Sequence, residues 1–319
     1  MSCILVTGAN GFVGSKLCQV LIDNSDTVHA ITRRQNFPLE TSTLKYFSVN
    51  NIGSDTQWDR ALDQVDCVIH LAARVHVMLD SSSNPLAIYR EVNTVGTMNL
   101  ARQALKAGVK RFIYISSIKV NGESTSKNMS FKASDETFPT DPYAISKYEA
   151  EQQLFELTKN TNMSIVVIRP PLVYGPGVKA NFFSMMRWVN KEIPLPLGLI
   201  HNKRSLVALD NLVDLILVCS THKAAVNQVF LVSDGNDLSV TQLLQSMAKA
   251  LDKTSRLIPV PVWLLRLGAT ILQQTNISNR LLGSLQVDMS KTQELLNWEP
   301  SITAEEALKE TANHFIENQ

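Results

Sequence analysis

The 319-residue sequence has few charged residues, few cysteines and no long uninterrupted hydrophobic run. Charged residues make up 18% and the net charge is only +1, which gives no reason to expect nucleic acid or an anionic membrane as partner. The four cysteines form no C-x-x-C pair and the six histidines show no metal-ligand spacing, so we expect no metal site. The cysteines instead suit small buried side chains in a reducing, cytoplasmic compartment.

The most apolar later stretch is residues 257–272. It contains Pro259, Pro261 and Arg266, and it is too short and too interrupted to span a bilayer. It predicts an amphipathic helix after a proline-rich turn, either buried or facing a partner, with peripheral membrane contact left open. A buried strand predicted from residue 3 leaves no room for a signal peptide. Hydrophobic residues make up 45% of the chain, which is enough for a substantial core.

Residues 3–14 read C-I-L-V-T-G-A-N-G-F-V-G and organise the first half of the chain. Residues 3–7 predict a short buried parallel strand, and a helix is predicted to follow from about residue 12. Three glycines lie where the strand meets the helix. Gly8 allows a sharp turn, Gly11 lets the backbone approach a ligand closely, and Gly14 lets the helix pack tightly. The first amides of the helix then suit a pyrophosphate. The alternative is a glycine-rich turn without a ligand.

A basic pair follows the second predicted strand, residues 28–32. Dinucleotide-binding proteins commonly carry an acid here, about twenty residues after the glycines, which binds the ribose 2′-hydroxyl. This chain has Thr32, Arg33 and Arg34 instead. Guanidinium groups suit a 2′-phosphate better than a free hydroxyl, so the pair favours NADP(H) over NAD(H). The alternative is a solvated basic loop.

Strands and helices alternate over the first 170 residues, which predicts an α/β fold with a Rossmann-type doubly wound parallel sheet. Ligands bind at the carboxyl ends of strands in such sheets. The fourth strand is predicted to end in H-L-A-A (70–73), and the fifth delivers Ser116 and Ser117 to the same edge. His70 is interpreted as a packed strand-end histidine rather than a catalyst. The long polar loop 121–140 indicates a lid or an insertion.

The later segments predict a second, smaller and mostly helical lobe. Residues 1–172 with 205–235 are predicted to form the dinucleotide-binding domain. Residues 173–204 with 236–319 are predicted to form the lobe that binds the substrate.

Tyr143 and Lys147 are four residues apart on a predicted helix that begins at Asp141-Pro142, so they share one face. A phenol with a pKa of about 10 is a poor acid–base group at neutral pH. A lysine ammonium one turn away is expected to stabilise the phenolate and lower that pKa, while Ser117 holds the substrate oxygen. The Y-x-x-x-K spacing alone is weak evidence for an active site. It becomes specific evidence when the same chain also carries the glycine motif and a serine pair at a strand end. The alternative is a structural tyrosine and a solvated lysine.

These motifs together resemble the extended short-chain dehydrogenase/reductase family, in its group of nucleotide-sugar epimerases, dehydratases and reductases. The resemblance covers nearly the whole chain. Its landmarks are T-G-A-N-G-F-V-G (7–14), H-L-A-A (70–73), V-N-T-V-G-T (92–97), I-S-S-I-K-V-N-G (115–122), Y-A-I-S-K (143–147), R-P-P-L-V-Y-G-P-G (169–177) and V-D-M-S-K (287–291).

The resemblance implies a role for each matching position. Tyr143 would be the acid–base group, Ser117 its partner at the substrate, and Lys147 the residue that shifts the tyrosine pKa and clamps the ribose. Asn181 and Arg204 would hold the diphosphate of a UDP-sugar. The implied NADP(H) or NAD(H) site comprises Gly8, Gly11, Phe12, Val13, Gly14, Arg33, Arg34, Leu71, Ala72, Ala73, Asn93, Ser116, Tyr143, Lys147 and Pro170.

Departures from the family pattern narrow the expected reaction. The dehydratases usually show Thr-Asp-Glu where this chain has S-I-K (117–119), so water elimination would lack its acid and base. UDP-galactose 4-epimerases usually place an asparagine where this chain has Leu172 and V-Y-G where it has V-N-G (120–122). The pattern is most similar to a bacterial subgroup that includes reductases of UDP-4-keto-6-deoxy-N-acetylglucosamine, which make UDP-N-acetylquinovosamine for surface polysaccharide.

We therefore expect an enzyme that reduces C4 of a UDP-linked amino sugar, without nucleic acid or an integral membrane segment. The oligomeric state stays open, with a homodimer as one candidate. A UDP-glucose or UDP-N-acetylglucosamine 4-epimerase with bound NAD is the alternative within this class. A non-catalytic dinucleotide-binding relative is the alternative of another class, but such relatives typically lose the tyrosine or the lysine.

Overall fold

The computed structural model describes residues 2–33, 40–75 and 84–318. Its centre is a seven-stranded parallel sheet in the order β3-β2-β1-β4-β5-β6-β9, which confirms the predicted Rossmann-type fold. The strands of this sheet are short. The five inner strands are buried along most of their length, as expected for a sheet covered on both faces, whereas the edge strand Leu44–Ser48 has no buried residue. The strands of the sheet are β1 (Cys3–Thr7), β2 (Thr27–Thr32), β3 (Leu44–Ser48), β4 (Cys67–His70), β5 (Arg111–Ile115), β6 (Ser164–Arg169) and β9 (Gln228–Leu231).

Helices cover the two faces of the sheet and bury two apolar cores. Leu17 and Leu21 of α1 pack on one face together with Leu212 and Ile216 of α6. On the other face, side chains of α3 and α4 pack with the fully buried Trp58. The helices of this domain are α1 (Phe12–Asp23), α2 (Pro85–Arg90), α3 (Thr97–Lys106), α4 (Pro142–Thr158) and α6 (Leu209–Thr221), and a π-helical segment, Glu91–Gly96, joins α2 to α3.

A second lobe has its own apolar core, formed by α5 (Ala180–Asn190), α7 (Val240–Ala250) and α11 (Ala304–Glu317). Further helices in this part of the chain are α8 (Val262–Ile271), α9 (Thr275–Leu282) and α10 (Ser290–Leu296). A two-stranded parallel sheet, β7 (Leu172–Tyr174) with β8 (Leu206–Ala208), lies where the chain passes between the lobes. Not every late segment belongs to this lobe, because Leu296 and Trp298 pack into the core of the sheet domain.

The predicted polar loop 121–140 is held by the C-terminal part of the chain. Thr125 donates its backbone N–H to Ser284, and Phe131 donates to Gln286. Asp288 donates back to the carbonyl of Phe131 at 2.9 Å. The loop therefore connects the two lobes through backbone hydrogen bonds, at the end of the sheet where β5 finishes.

Candidate active site

The turn between β1 and α1 is built without room for side chains. Gly8 has a φ of 70°, in the left-handed region that favours glycine. A Cβ on Gly14 would lie 2.1 Å from the carbonyl oxygen of Gly8, so only glycine fits there. Gly11 precedes the first residue of α1 and caps it with no side chain. The first-turn amides of α1, Phe12 and Val13 among them, therefore face an open approach and have no acceptor within the helix.

The end of β2 carries a threonine where a carboxylate would bind a ribose. Thr32 is buried, and its Oγ1 accepts a hydrogen bond from Nδ2 of Asn10 in the glycine turn at 2.5 Å. Arg33 follows it and is exposed. Arg34, the second arginine of the predicted pair, lies outside the described residues. The structure thus brings Thr32 and Arg33 beside the glycine turn.

A buried hydrogen-bond chain fixes the segment after β4. The backbone N–H of Ala72 donates to Oγ1 of Thr7 at 3.1 Å, and Thr7 lies 2.7 Å from Nδ1 of His70. Nε2 of His70 lies 2.9 Å from Oγ1 of Thr97, which itself donates to the carbonyl of Asn93. Thr97 must therefore accept from His70, and the histidine is neutral with its proton on Nε2. Burial lowers the pKa of His70 to about 3, in keeping with that assignment.

Asn93 acts on the same segment from the π-helical turn. Its Oδ1 accepts from the backbone N–H of Arg74 at 2.8 Å, and its Nδ2 donates to the carbonyl of Arg74 and to Oγ of Ser146. The predicted cofactor residue therefore uses its side-chain amide to hold the backbone that follows Leu71, Ala72 and Ala73. The structure makes Asn93 a support for this segment.

The predicted reacting groups come together at the carboxyl ends of β5 and β6. Ser117 follows β5, and its hydroxyl lies close enough to the phenol of Tyr143, near the start of α4, to favour the phenolate. Asp141 caps α4 by accepting the backbone N–H groups of Tyr143 and Ala144. The buried Oγ of Ser116 has no hydrogen-bond partner among the described residues, and such an atom is expected to face a ligand or water.

Lys147 is buried one turn after Tyr143, with its Nζ 4.2 Å from the centroid of the Tyr114 ring. Burial lowers the pKa of Lys147 to about 7, so the ammonium is only partly populated near neutral pH. Burial also raises the pKa of Tyr143 to about 12, although the nearby hydroxyl of Ser117 opposes the rise. Desolvation is the largest cause of both pKa shifts, and the lowering of the tyrosine pKa by Lys147 stays a prediction.

A buried ion pair behind these groups was not foreseen from the sequence. Glu151, one turn after Lys147 on α4, accepts from Nε and a terminal nitrogen of Arg169 at the end of β6. Arg169 also donates to Oδ1 of Asn121 at 2.9 Å. The four-residue spacing of Tyr143, Lys147 and Glu151 places all three on one face of the helix, but it does not indicate Arg169 as the partner of Glu151.

The remaining predicted residues lie on the second lobe or at its border. Pro170 follows β6, is buried, and its carbonyl accepts the backbone N–H of Ile118 at 3.0 Å. Asn181 is exposed at the start of α5. Arg204 is partly buried and donates from one terminal nitrogen to the carbonyls of Arg280 and Gly283, at the end of α9. That nitrogen is already hydrogen-bonded within the protein. The other nitrogens of the guanidinium are the ones that could contact a phosphate.

The turn and the strand ends fit a dinucleotide. Gly11, the N-cap of α1, adds no side chain beside the first amides of the helix, and the orphan hydroxyl of Ser116 lies at the edge where ligands bind in such sheets. The protein is thus a dinucleotide-dependent enzyme of the extended short-chain dehydrogenase/reductase class. Residues 4–233 match the NAD dependent epimerase/dehydratase family, and the chain belongs to this family. Its cofactor is therefore a nicotinamide dinucleotide, NAD or NADP.

Individual relatives span nearly the whole chain. It is 50% identical over 315 residues to a UDP-glucose 4-epimerase of Vibrio cholerae, covering 98% of this chain and 95% of the relative. It is 28% identical over 269 residues to the N-acetyl-alpha-D-glucosaminyl-diphospho-ditrans,octacis-undecaprenol 4-epimerase of Escherichia coli O157:H7, covering 82% and 77%. Among solved structures, the UDP-glucose 4-epimerase of Thermotoga maritima with UDP-glucose has the same fold, with a TM-score of 0.77, 24% identity and 99% of both chains covered.

Proposed function

We propose that the protein carries out oxidation–reduction at C4 of a UDP-linked sugar. The observation that carries this proposal is the approach of the Ser117 hydroxyl to the phenol of Tyr143 beside the buried Lys147, at the edge of the sheet that the glycine turn also reaches. Ser117 follows β5, Tyr143 and Lys147 lie on α4, and the glycine turn follows β1. Such an arrangement suits proton transfer at an oxygen whose carbon gains or loses a hydride.

Each residue would have a separate part in that reaction. The dinucleotide, when bound, supplies or receives the hydride. Tyr143 would give its phenolic proton to the oxygen at C4 as the carbonyl becomes an alcohol, while the hydroxyl of Ser117 holds that oxygen. Lys147 would carry the positive charge that a tyrosinate needs, since its pKa of about 7 lets it take up or release a proton near neutral pH.

For the net reaction we propose reduction of a UDP-2-acetamido-2,6-dideoxy-4-hexulose. A reductase must exchange its cofactor in each cycle, whereas a 4-epimerase gains from holding it. The end of β2 carries Thr32 in place of a carboxylate that would anchor the ribose of the cofactor, and the exposed Arg33 follows it. Both features favour NADP(H) and exchange of the cofactor in each cycle. Dehydration is disfavoured because Lys119 stands where the family's dehydratases carry an acid, and it is paired with Glu123 and Asp141.

A 4-epimerase is the second candidate, and the Vibrio cholerae relative named UDP-glucose 4-epimerase favours it. The name of the Escherichia coli relative specifies an N-acetylglucosaminyl substrate, which supports an N-acetylated amino sugar in either case. We further propose that the lobe of residues 173–204 and 236–319 closes over the sugar, with Arg204 and Asn181 at the diphosphate. Residues 1–172 and 205–235 would hold the dinucleotide.

A stoichiometric assay separates the two candidates. The purified protein is incubated with NADPH or NADH and the UDP-4-keto sugar, and cofactor oxidation is compared with the 4-hydroxy product measured by NMR. A reductase gives one product molecule for each cofactor molecule oxidised. Many turnovers between UDP-glucose and UDP-galactose, or between their N-acetylated counterparts, without added cofactor would establish the epimerase. No activity on any of these sugars would contradict both candidates.

A further inference from the structure

The helix α8 has an apolar face that points away from the protein. None of its residues is fully buried, and Trp263 and Ile271 expose 67% and 72% of their surfaces. Leu264 and Leu267 are exposed between them, and Leu272 follows the helix. Positions 263, 267 and 271 are four residues apart and form one stripe along the helix. We call these five exposed residues, Trp263, Leu264, Leu267, Ile271 and Leu272, the α8 surface.

The opposite side of α8 is attached to the second lobe. Leu265 packs against the core that α5, α7 and α11 share. The chain before the helix is also fixed, because Ile258 donates its backbone N–H to Leu195 and accepts from Gly198. The α8 surface is therefore presented outward by a folded support. An ordinary surface helix would carry polar residues on this side.

The charge of the surrounding segment is of one sign. Residues 253–287 contain four basic residues and no aspartate or glutamate. The four are exposed: Lys253, Arg256, Arg266 and Arg280. The net charge of +1 for the whole chain conceals this local excess. A second copy of the chain paired face to face would bring the two copies of Arg266 near each other with no acid of this segment to neutralise them.

We propose that the α8 surface docks on a lipid bilayer that carries anionic headgroups. A helix that lies in the membrane interface typically exposes tryptophan, leucine and isoleucine, with basic residues beside them. With ten residues α8 is about 15 Å long at 1.5 Å per residue, which is too short to cross the hydrocarbon core. Nor is any helix within residues 2–33, 40–75 and 84–318 long and apolar enough to do so. Docking would hold the second lobe against the membrane.

Vesicle sedimentation tests the proposal with two matched variants. The full-length protein is mixed with vesicles of phosphatidylcholine alone or of phosphatidylcholine and phosphatidylglycerol in equal parts. We expect binding to the mixed vesicles, weaker binding to the neutral ones, and loss of affinity at high salt. Ile271→Ser should weaken binding by about tenfold, the effect of losing one buried aliphatic side chain. Ile316→Ser removes the same side chain from a site on α11 that is 53% exposed and should leave binding unchanged.

Tryptophan fluorescence adds a direct readout. The emission of the wild-type protein should shift to shorter wavelength on mixed vesicles, and Trp263→Phe should abolish most of the shift. The proposal is wrong if the wild-type protein ignores anionic vesicles, or if Ile316→Ser weakens binding as much as Ile271→Ser. It is equally wrong if light scattering shows a dimer that Ile271→Ser dissociates while neither protein binds vesicles, because the α8 surface would then join two copies.

Discussion

Glu151 and Arg169 form an ion pair in which both side chains are almost completely excluded from solvent. The side chains are 0% and 5% exposed, and Nε of Arg169 lies 3.1 and 3.2 Å from the two carboxylate oxygens. The pair joins the helix that carries Tyr143 and Lys147 to the end of β6. Glu151 also favours the charged form of Lys147, although burial outweighs it.

Removing one charge of this pair should cost considerable stability. Glu151→Gln keeps the shape of the side chain but leaves Arg169 charged and buried, which typically costs about 3–5 kcal/mol. Chemical denaturation measures the change in the free energy of unfolding. The control is Glu305→Gln, which breaks the exposed pair of Glu305 with Lys249 and should have little effect. Equal effects for the two variants would show that the buried pair contributes no more than a surface pair.

The burial of Lys147 should make stability depend on pH. The pKa of Lys147 is about 7 in the folded protein and about 10.5 in the unfolded chain. Between these two pH values the unfolded chain therefore binds about one proton more than the folded protein. This group therefore makes the free energy of unfolding rise with pH by about 1.4 kcal/mol per unit in that window. Below pH 7 the contribution levels off at its least favourable value. Lys147→Met should flatten the slope, and parallel pH profiles for the two proteins would contradict the assignment.

The acid–base role is tested by removing one oxygen. Tyr143→Phe should lower kcat by about 10²–10⁴-fold while folding and cofactor affinity stay nearly unchanged. Tyr89 lies 6.0 Å away, centroid to centroid, and makes an edge contact with the Tyr143 ring. Tyr89→Phe is therefore a control in the same environment, for which we expect near-normal turnover. Turnover close to the wild-type rate in Tyr143→Phe would exclude the tyrosine as the proton donor.

Cofactor choice should depend on the arginines after β2. A charge-assisted contact to a 2′-phosphate is worth roughly 1.5–3 kcal/mol. Replacing Arg33 and Arg34 by alanine should therefore weaken NADPH binding by at least tenfold and leave NADH binding almost unchanged, as measured by calorimetry. Arg102→Ala, at an exposed site on α3, is the control. Equal losses for both cofactors would mean that the arginines belong to a solvated loop.

Arg204 should contribute to UDP affinity and to the position of α9. Arg204→Ala is expected to raise the KM for the UDP-sugar and to weaken binding of UDP itself. Arg280→Ala serves as the control, since the contact with Arg204 uses the backbone carbonyl of Arg280, which that variant retains. If Arg204→Ala binds UDP as tightly as the wild-type protein, the diphosphate lies elsewhere.

The sequence predicts those parts of the fold that depend on neighbouring residues. Three of these parts are local patterns: the glycine turn, Ser117 at a strand end and the four-residue spacing of Tyr143 and Lys147. Each pattern predicts where its own residues lie in the fold. The alternation of strands and helices predicts the parallel, doubly wound sheet but not the order of its strands.

What the sequence does not predict is which distant groups meet. The pairing of Glu151 with Arg169, the clamp of Asn93 on Arg74 and the contact of Arg204 with the end of α9 all join separate elements. The pKa values of Tyr143 and Lys147 also depend on groups from separate elements. The four-residue spacing shows that the two can be neighbours, but only the packed interior around Tyr114 shows that desolvation is the largest cause of both pKa shifts.

The backbone bonds between loop 121–140 and residues 284–288 have a consequence for the order of folding during synthesis. β9, the last strand of the sheet, is synthesised only after α5 and β8. The partners of Thr125 and Phe131 emerge later still. The nascent chain therefore carries an open sheet edge at β6 and an unheld loop until its last segments appear. An enzyme shortened before residue 284 would lose these backbone hydrogen bonds, although Ser117, Tyr143 and Lys147 all lie in the first half of the chain.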